Sequence, residues 1–129
     1  MGAPRCIVVG VDTSAESLAA FEWAVALAEA TGAEVVAVHA VGLLEAGGYR
    51  APPDLESVAT QAQARASVRS LAEPGPPAEV LLRVAEREAA DVITVGSRGL
   101  GGTARQLGST SDAVVRESPI PVVVVPSHP

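Results

Sequence analysis

Four nearly continuous apolar runs constrain this chain more than any other feature: Cys6–Val11, Val35–Val41, Val92–Val95 and Val122–Val125. Each is rich in β-branched side chains, which suit a pleated, covered surface better than a helix. A strand with one wet face would alternate apolar and polar residues. Runs without alternation are what parallel strands covered on both faces require. A fifth run, Ser67–Ala72, sets Val68 and Leu71 in a polar context and reads as an edge strand.

Helical signals fill the intervals. Thr13-Ser14-Ala15-Glu16 reads as a capping box with Thr13 as N-cap. Leu18, Phe21, Val25 and Ala28 then recur at spacings of three and four, predicting one apolar face, and Gly32 marks the stop. A second helix is expected over Asp54–Arg65. Gly75-Pro76-Pro77 introduces a third, with Leu81, Val84 and Ala85 on its buried side. A fourth runs from Ser109 to Glu117 ahead of Pro119 and Pro121, with Leu107, Thr110 and Val114 marking one face. The alternation of strand and helix predicts a parallel α/β sheet with right-handed crossovers, in one domain over 1–129. In such sheets ligands lie beyond the carboxyl ends of the strands, where Asp12, Ala40 and Gly96 fall. Gly42–Pro53 is expected to form a mobile loop at that same edge.

The strand at Val92 empties into Gly96-Ser97-Arg98-Gly99-Leu100-Gly101-Gly102, and Gly108-Ser109-Thr110-Ser111 follows as a helix start. Glycines let backbone N–H groups approach a ligand closely, and a helix N-terminus adds donors and partial positive charge. Together they predict a site for anionic oxygen, phosphate above all.

Composition narrows the partners. The formal charge is −6, all nine basic residues are arginines, and Phe21, Trp23 and Tyr49 are the only aromatics. That argues against nucleic acid, which wants a basic face and stacking platforms, and against an anionic membrane surface. Cys6 stands alone, so no internal disulfide forms, and a buried, inert thiol is expected. No signal peptide is evident, and the apolar runs fall far short of the ~18 residues a membrane span needs. A soluble, cytoplasmic protein is expected.

The arrangement resembles the universal stress protein family. The resemblance rests on Val9-Gly10-Val11-Asp12-Thr13-Ser14, on Val38-His39-Ala40-Val41, on Pro77-Ala78-Glu79, on Asp91 through Gly99, on Gly108-Ser109, and on Ser118 through Val125. It covers essentially the whole chain. The resemblance implies a Rossmann-like sheet of five parallel strands in the order 3-2-1-4-5, with helices on both faces, as in the adenine-nucleotide α-hydrolases. It also implies homodimers joined through the last strand, here Val122, Val123, Val124 and Val125. Many members bind ATP through Gly, two residues, Gly, nine residues, Gly and then Ser or Thr. Carried onto this chain, Gly96, Gly99, Gly108 and Ser109 would surround ribose and phosphates. Asp12 would lie near the adenosine, and Ala40 would meet adenine through its backbone. Val11, Val95, Arg98, Thr110 and Ser111 complete the expected site, with ATP bound alone or with Mg²⁺. The second spacer here, Leu100 to Leu107, has eight residues rather than nine, and the loop Gly101–Gln106 is expected to absorb the difference.

Each signal has a plainer reading. Asp12 can be a turn former, Ser109 a helix cap, and the glycines a strand-to-helix connection. His39 reads as a hydrogen-bonded structural histidine, since no second ligand stands at metal-binding spacing. No catalytic set is visible, and without lysine a Walker-type phosphate loop is excluded. Three functions compete: a stress-response regulator that binds ATP, a nucleotide-free dimeric interaction module, and a very slow ATPase or an enzyme of the related adenine-nucleotide α-hydrolase group. The glycine motif favours the first over the second. The missing Ser-Gly-Gly-x-Asp-Ser loop and His-x-Gly-His signature of the related hydrolases count against the third.

Overall fold

The computed structural model describes residues 2–12, 14–41, 53–97 and 107–126. Strands and helices alternate along them: β1 (Cys6–Gly10), α1 (Ala15–Thr31), β2 (Glu34–Val41), α2 (Pro53–Ala62), β3 (Ser67–Pro74), α3 (Pro77–Arg87), β4 (Val92–Gly96), α4 (Ser109–Glu117) and β5 (Val122–Val125). Every pairing is parallel and the order is β3-β2-β1-β4-β5, as expected. The order therefore reverses between β1 and β4. The loop expected over Gly42–Pro53 lies mostly outside the described residues, as do Thr13 and Gly101–Gln106.

Strand alternation sorts the core into two layers. Ile7, Val9, Val35, Ala37 and Val92 face α1 and α2, together with Phe21, Ala24 and Leu55. Val8, Val36, Val38, Ile93 and Val95 face the other way, against Val80, Leu81 and Val84 of α3 and Val114 of α4. With so few aromatics, aliphatic residues fill both layers. At roughly 1.5–3 kcal/mol for each fully buried aliphatic side chain, this burial is the main force holding the helices to the sheet. The edge strand β3 is the one strand with exposed positions, Ser67 and Arg69, as its polar sequence requires.

Several local expectations are corrected. The N-cap of α1 is Ser14, not Thr13: its hydroxyl accepts from the Ser17 N–H at 3.2 Å. The Asp12 carboxylate accepts from the Ser14 N–H at 2.9 Å, an Asx turn that carries the extended chain one residue further before the helix begins. Of the expected face, Phe21, Val25 and Ala28 are buried but Leu18 is exposed; Ser17, Ala20 and Ala24 complete the side toward the sheet. Alanine lets the helix approach closely, so the contact centres on the small residues and Leu18 is rotated off it. Gly32 ends the helix as expected, with φ +79° and its N–H donating to the Ala28 carbonyl at 2.8 Å. The second helix stops at Ala62, short of Arg65. Leu107 is exposed ahead of α4, whose buried side is Ser111 and Val114 rather than a Leu107–Thr110–Val114 face. Cys6 is half-buried rather than buried, because it heads β1 at the rim of the sheet. Burial, and then the Glu34 and Glu88 carboxylates, push its thiol up, which keeps it protonated and unreactive.

Candidate functional site

A cavity of about 100 Å³ opens beyond the carboxyl ends of β1, β2 and β4, where the strand order reverses. That is the scale of cavities that take a single aromatic ring, below the ~300 Å³ at which pockets for whole drug-sized ligands begin. A base-sized ring could enter a cavity of this scale only if anything attached to that ring extended outward.

Of the residues the sequence singled out, Val11, Asp12, Ala40, Val95, Gly96, Thr110 and Ser111 line this cavity. Gly108 and Ser109 stand beside it at the start of α4 without lining it. Arg98 and Gly99 lie outside the described residues. Sequence reasoning missed part of the wall: Gly10, Ser17, Val38, His39, Pro77, Val80 and Leu81. Position toward the ends of β1 and β2 was the available signal for Gly10, Val38 and His39; Ser17, Pro77, Val80 and Leu81 arrive from helices and gave none.

Strand geometry explains what Ala40 offers. The Val11 N–H donates to the Val38 carbonyl at 2.9 Å on the β1 side of β2, and the Gly75 N–H donates to the Val41 carbonyl at 3.2 Å on the β3 side. Because backbone groups alternate along a strand, Ala40 directs its N–H and C=O toward the β1 side. There β1 has already ended, at Gly10 opposite Val38. Ala40 thus presents a donor–acceptor pair at the cavity's edge.

Asp12 forms the opposite rim. Its N–H donates to the Ser17 hydroxyl at 3.1 Å, which in turn donates to the Ser14 carbonyl at 3.1 Å. Partial burial pushes the Asp12 carboxyl up, but the hydrogen bonds from Ser14 and Ser17 outweigh it and hold it below the usual carboxylate value. Asp12 is therefore an anion at neutral pH, and both its readings hold: it shapes the turn and lines the cavity. His39 is the hydrogen-bonded histidine the sequence suggested. Its Nδ1–H donates to the Val11 carbonyl at 3.1 Å, tying β2 to the chain leaving β1. In the neutral ring Nε2 is then an acceptor.

The start of α4 closes the far side. Its N-cap is Gly108, not Ser109, so no side chain caps the first turn. The Gly108 N–H donates to the Ser97 carbonyl at 2.9 Å, and the Ser111 hydroxyl donates to the Gly96 carbonyl. These bonds hold the helix start against the end of β4. The N–H groups of its first turn have no intrahelical acceptors, which leaves partial positive charge at this end of the helix. Gly96 has a second duty: a Cβ there would stand 2.7 Å from the Glu16 carbonyl carbon, so only glycine admits the first turn of α1 over β4.

The universal stress protein family profile matches residues 4–126. A universal stress protein from Thermus aquaticus is 35% identical over 94% of this chain and 98% of its own length. Among solved structures, the hypothetical protein MJ0577 superposes with a TM-score of 0.84 at 23% identity, covering 98% of this chain and 99% of that one. A universal stress protein in complex with cAMP gives a TM-score of 0.74 at 28% identity, covering 98% of this chain and 100% of its own. The cavity, the strand order around it and these likenesses agree: the chain belongs to the universal stress protein family.

Proposed function

We propose that this chain is a stress-response regulator that binds ATP at the carboxyl end of its sheet and acts through a dimer or a partner surface. The observation that carries the reading is the joining of a base-sized cavity to a helix N-terminus with no side-chain cap. The adenine would enter between Val11 and Val95 and read the Ala40 backbone. The Asp12 carboxylate would accept from a ribose hydroxyl, the role an acidic residue takes in dinucleotide folds. Phosphates would run out over Gly96 to the first-turn N–H groups at Ser109, Thr110 and Ser111, with Gly108 allowing close approach. Arg98 and Gly99 would complete the phosphate cradle. The relative solved with cAMP, 28% identical to this chain, supports a nucleotide ligand. Among the described residues no three His, Cys, Asp or Glu side chains converge to hold a metal. A Mg²⁺ ion would therefore be held chiefly by phosphate oxygens and water. The chain has no lysine in any position to stabilise a leaving phosphate, so turnover should stay near background.

Titration calorimetry and thermal unfolding with ATP, with and without Mg²⁺, test the reading. A ligand at a hundred times its Kd adds about 2.7 kcal/mol of apparent stability, so saturable heat and a raised Tm are expected. Neither appearing at millimolar ATP would overturn it.

The dimer would form through Val122, Val123, Val124 and Val125. β5 pairs with β4 on one side and ends the sheet on the other, and an apolar edge left open invites aggregation. Pairing with its twin about a two-fold axis covers it symmetrically. Val123→Lys together with Val125→Lys should give monomers in light scattering; a persisting dimer would put the interface elsewhere.

A further inference from the structure

We propose that a groove on the α3/α4 face docks an amphipathic helix of a partner protein, one carrying arginine or lysine beside its apolar anchors. The groove is open, has a volume of about 710 Å³, and lies between α3, the start of β4 and the turn from α4 into β5. Its floor is apolar: Leu82, Ala85, Ala90, Ile93 and Ile120. Leu82 and Ile120 are only partly covered by the chain's own core. A helix presenting anchors at i, i+3, i+4 and i+7 fills grooves of this kind.

Charge decides the occupant. Glu79, Glu86 and Glu117 stand exposed along the groove, and none of them is in an ion pair among the described residues. The cation lining it, Arg83, is engaged with β3: Nη2 donates to the Pro74 carbonyl at 2.9 Å and lies 3.6 Å from Glu73. The groove therefore presents unbalanced negative charge around an apolar floor. A second copy of a chain with net charge −6 would bring like charge to it, as would nucleic acid or an anionic membrane. A basic amphipathic helix matches both features. Both α3 and α4 run from the carboxyl-end crevice to this groove, so a partner seated here contacts the elements that wall the proposed nucleotide site. That link alone rests on the nucleotide reading.

The test uses the full chain without nucleotide, so its outcome does not depend on ATP binding. A fluorescein-labelled helical peptide of leucine and arginine, leucines at i, i+3, i+4 and i+7, is titrated by anisotropy at physiological salt. The same peptide with glutamate for arginine is the control. Saturable binding of the basic peptide alone is expected. Glu86→Lys together with Glu117→Lys should weaken it by at least about tenfold. The same charge change on the opposite face of the sheet, Glu29→Lys with Glu56→Lys, should leave it within about twofold, because screening confines each charge to its neighbourhood. Circular dichroism confirms that both variants fold. No binding of the basic peptide, equal loss in the two variants, or binding of the acidic peptide would overturn the proposal. So would a change in sedimentation confined to the Glu86→Lys, Glu117→Lys variant, which would make the occupant a second copy.

Discussion

The two ends of the sheet treat their polar groups in opposite ways. At the amino end the chain satisfies itself. The Asp91 carboxylate accepts from the Arg5 and Cys6 N–H groups at 2.7 and 3.1 Å, and the Asp91 N–H returns a bond to the Cys6 carbonyl at 2.9 Å. Arg69 bridges Glu34 of β2 and Glu88 at the end of α3. At the carboxyl end, Ala40 turns its backbone toward a strand that has stopped, and α4 begins on a glycine that offers no cap. Strands of one sheet thus end stitched on one side and receptive on the other. The difference lies in residue choice. At the closed end carboxylates and guanidinium bridge neighbouring elements. At the open one Ala40, Gly96 and Gly108 bring no polar side chain to the backbone, and the one carboxylate lining the cavity, Asp12, is engaged in the turn into α1.

The comparison breaks most visibly at Gly96. A Cβ there meets the Glu16 backbone at 2.7–2.8 Å, which cannot move aside without shifting α1. Gly10 is a control at the same end, since its added Cβ meets only the Leu81 side chain at 2.8 Å, a flexible terminus that can rotate. Gly96→Ala should cost about 1–3 kcal/mol in urea unfolding, as overpacking does, and should lose the response to ATP. Gly10→Ala should cost less while also narrowing the cavity. Equal costs for the two would show that α1 tolerates displacement.

These glycines show how the sequence could and could not be read. Apolar runs and their spacing made the five strands, four helices and parallel sheet legible, because continuous burial leaves a pattern that one residue cannot erase. Boundaries set by single hydrogen bonds were less legible. Thr13, with Glu16 three residues on, fits a capping box, whereas Ser14 has Ser17 at that spacing and is selected by the turn that Asp12 makes. Leu18 looked like core by hydrophobicity, but close approach is governed by size, and alanines took the contact. In the candidate site, strand-end residues such as Ala40 and Gly96 were legible. Leu81 and Val80 were not assigned to it, because they arrive from a helix distant in sequence.

The closed end can be opened by acid. Backbone N–H groups of Arg5 and then Cys6 hold the Asp91 carboxyl below its ordinary value of 3.8. The unfolded chain takes up that proton more readily than the native one. Asp91's contribution is therefore complete above 3.8 and is lost as pH falls through the lower folded value. Asp91→Asn should lower the urea midpoint at pH 7, and its gap from the wild type should narrow toward pH 3. The ATP response proposed for the other end should not change. A gap that stays constant with pH would mean that Asp91 takes up its proton equally well in the folded and unfolded chains, so that the two backbone N–H groups do not hold its carboxyl down.

The smallest effect is expected midway between the ends, at Thr94. Its hydroxyl is fully buried in β4, and among the described residues it has no hydrogen-bond partner. It faces the α1 layer, in register with Val9 and Val123, so neither stitched nor receptive groups are near it in the sheet. A buried polar atom without a partner has lost water and gained nothing, while an apolar group of the same shape carries no such cost. Valine is nearly the same shape and keeps the β-branch that suits the strand. Thr94→Val should therefore leave stability unchanged or raise it by about 1 kcal/mol, with no change in ATP response. A loss of stability in urea unfolding would show that the hydroxyl is satisfied after all, and the middle of the sheet would then belong with its stitched end.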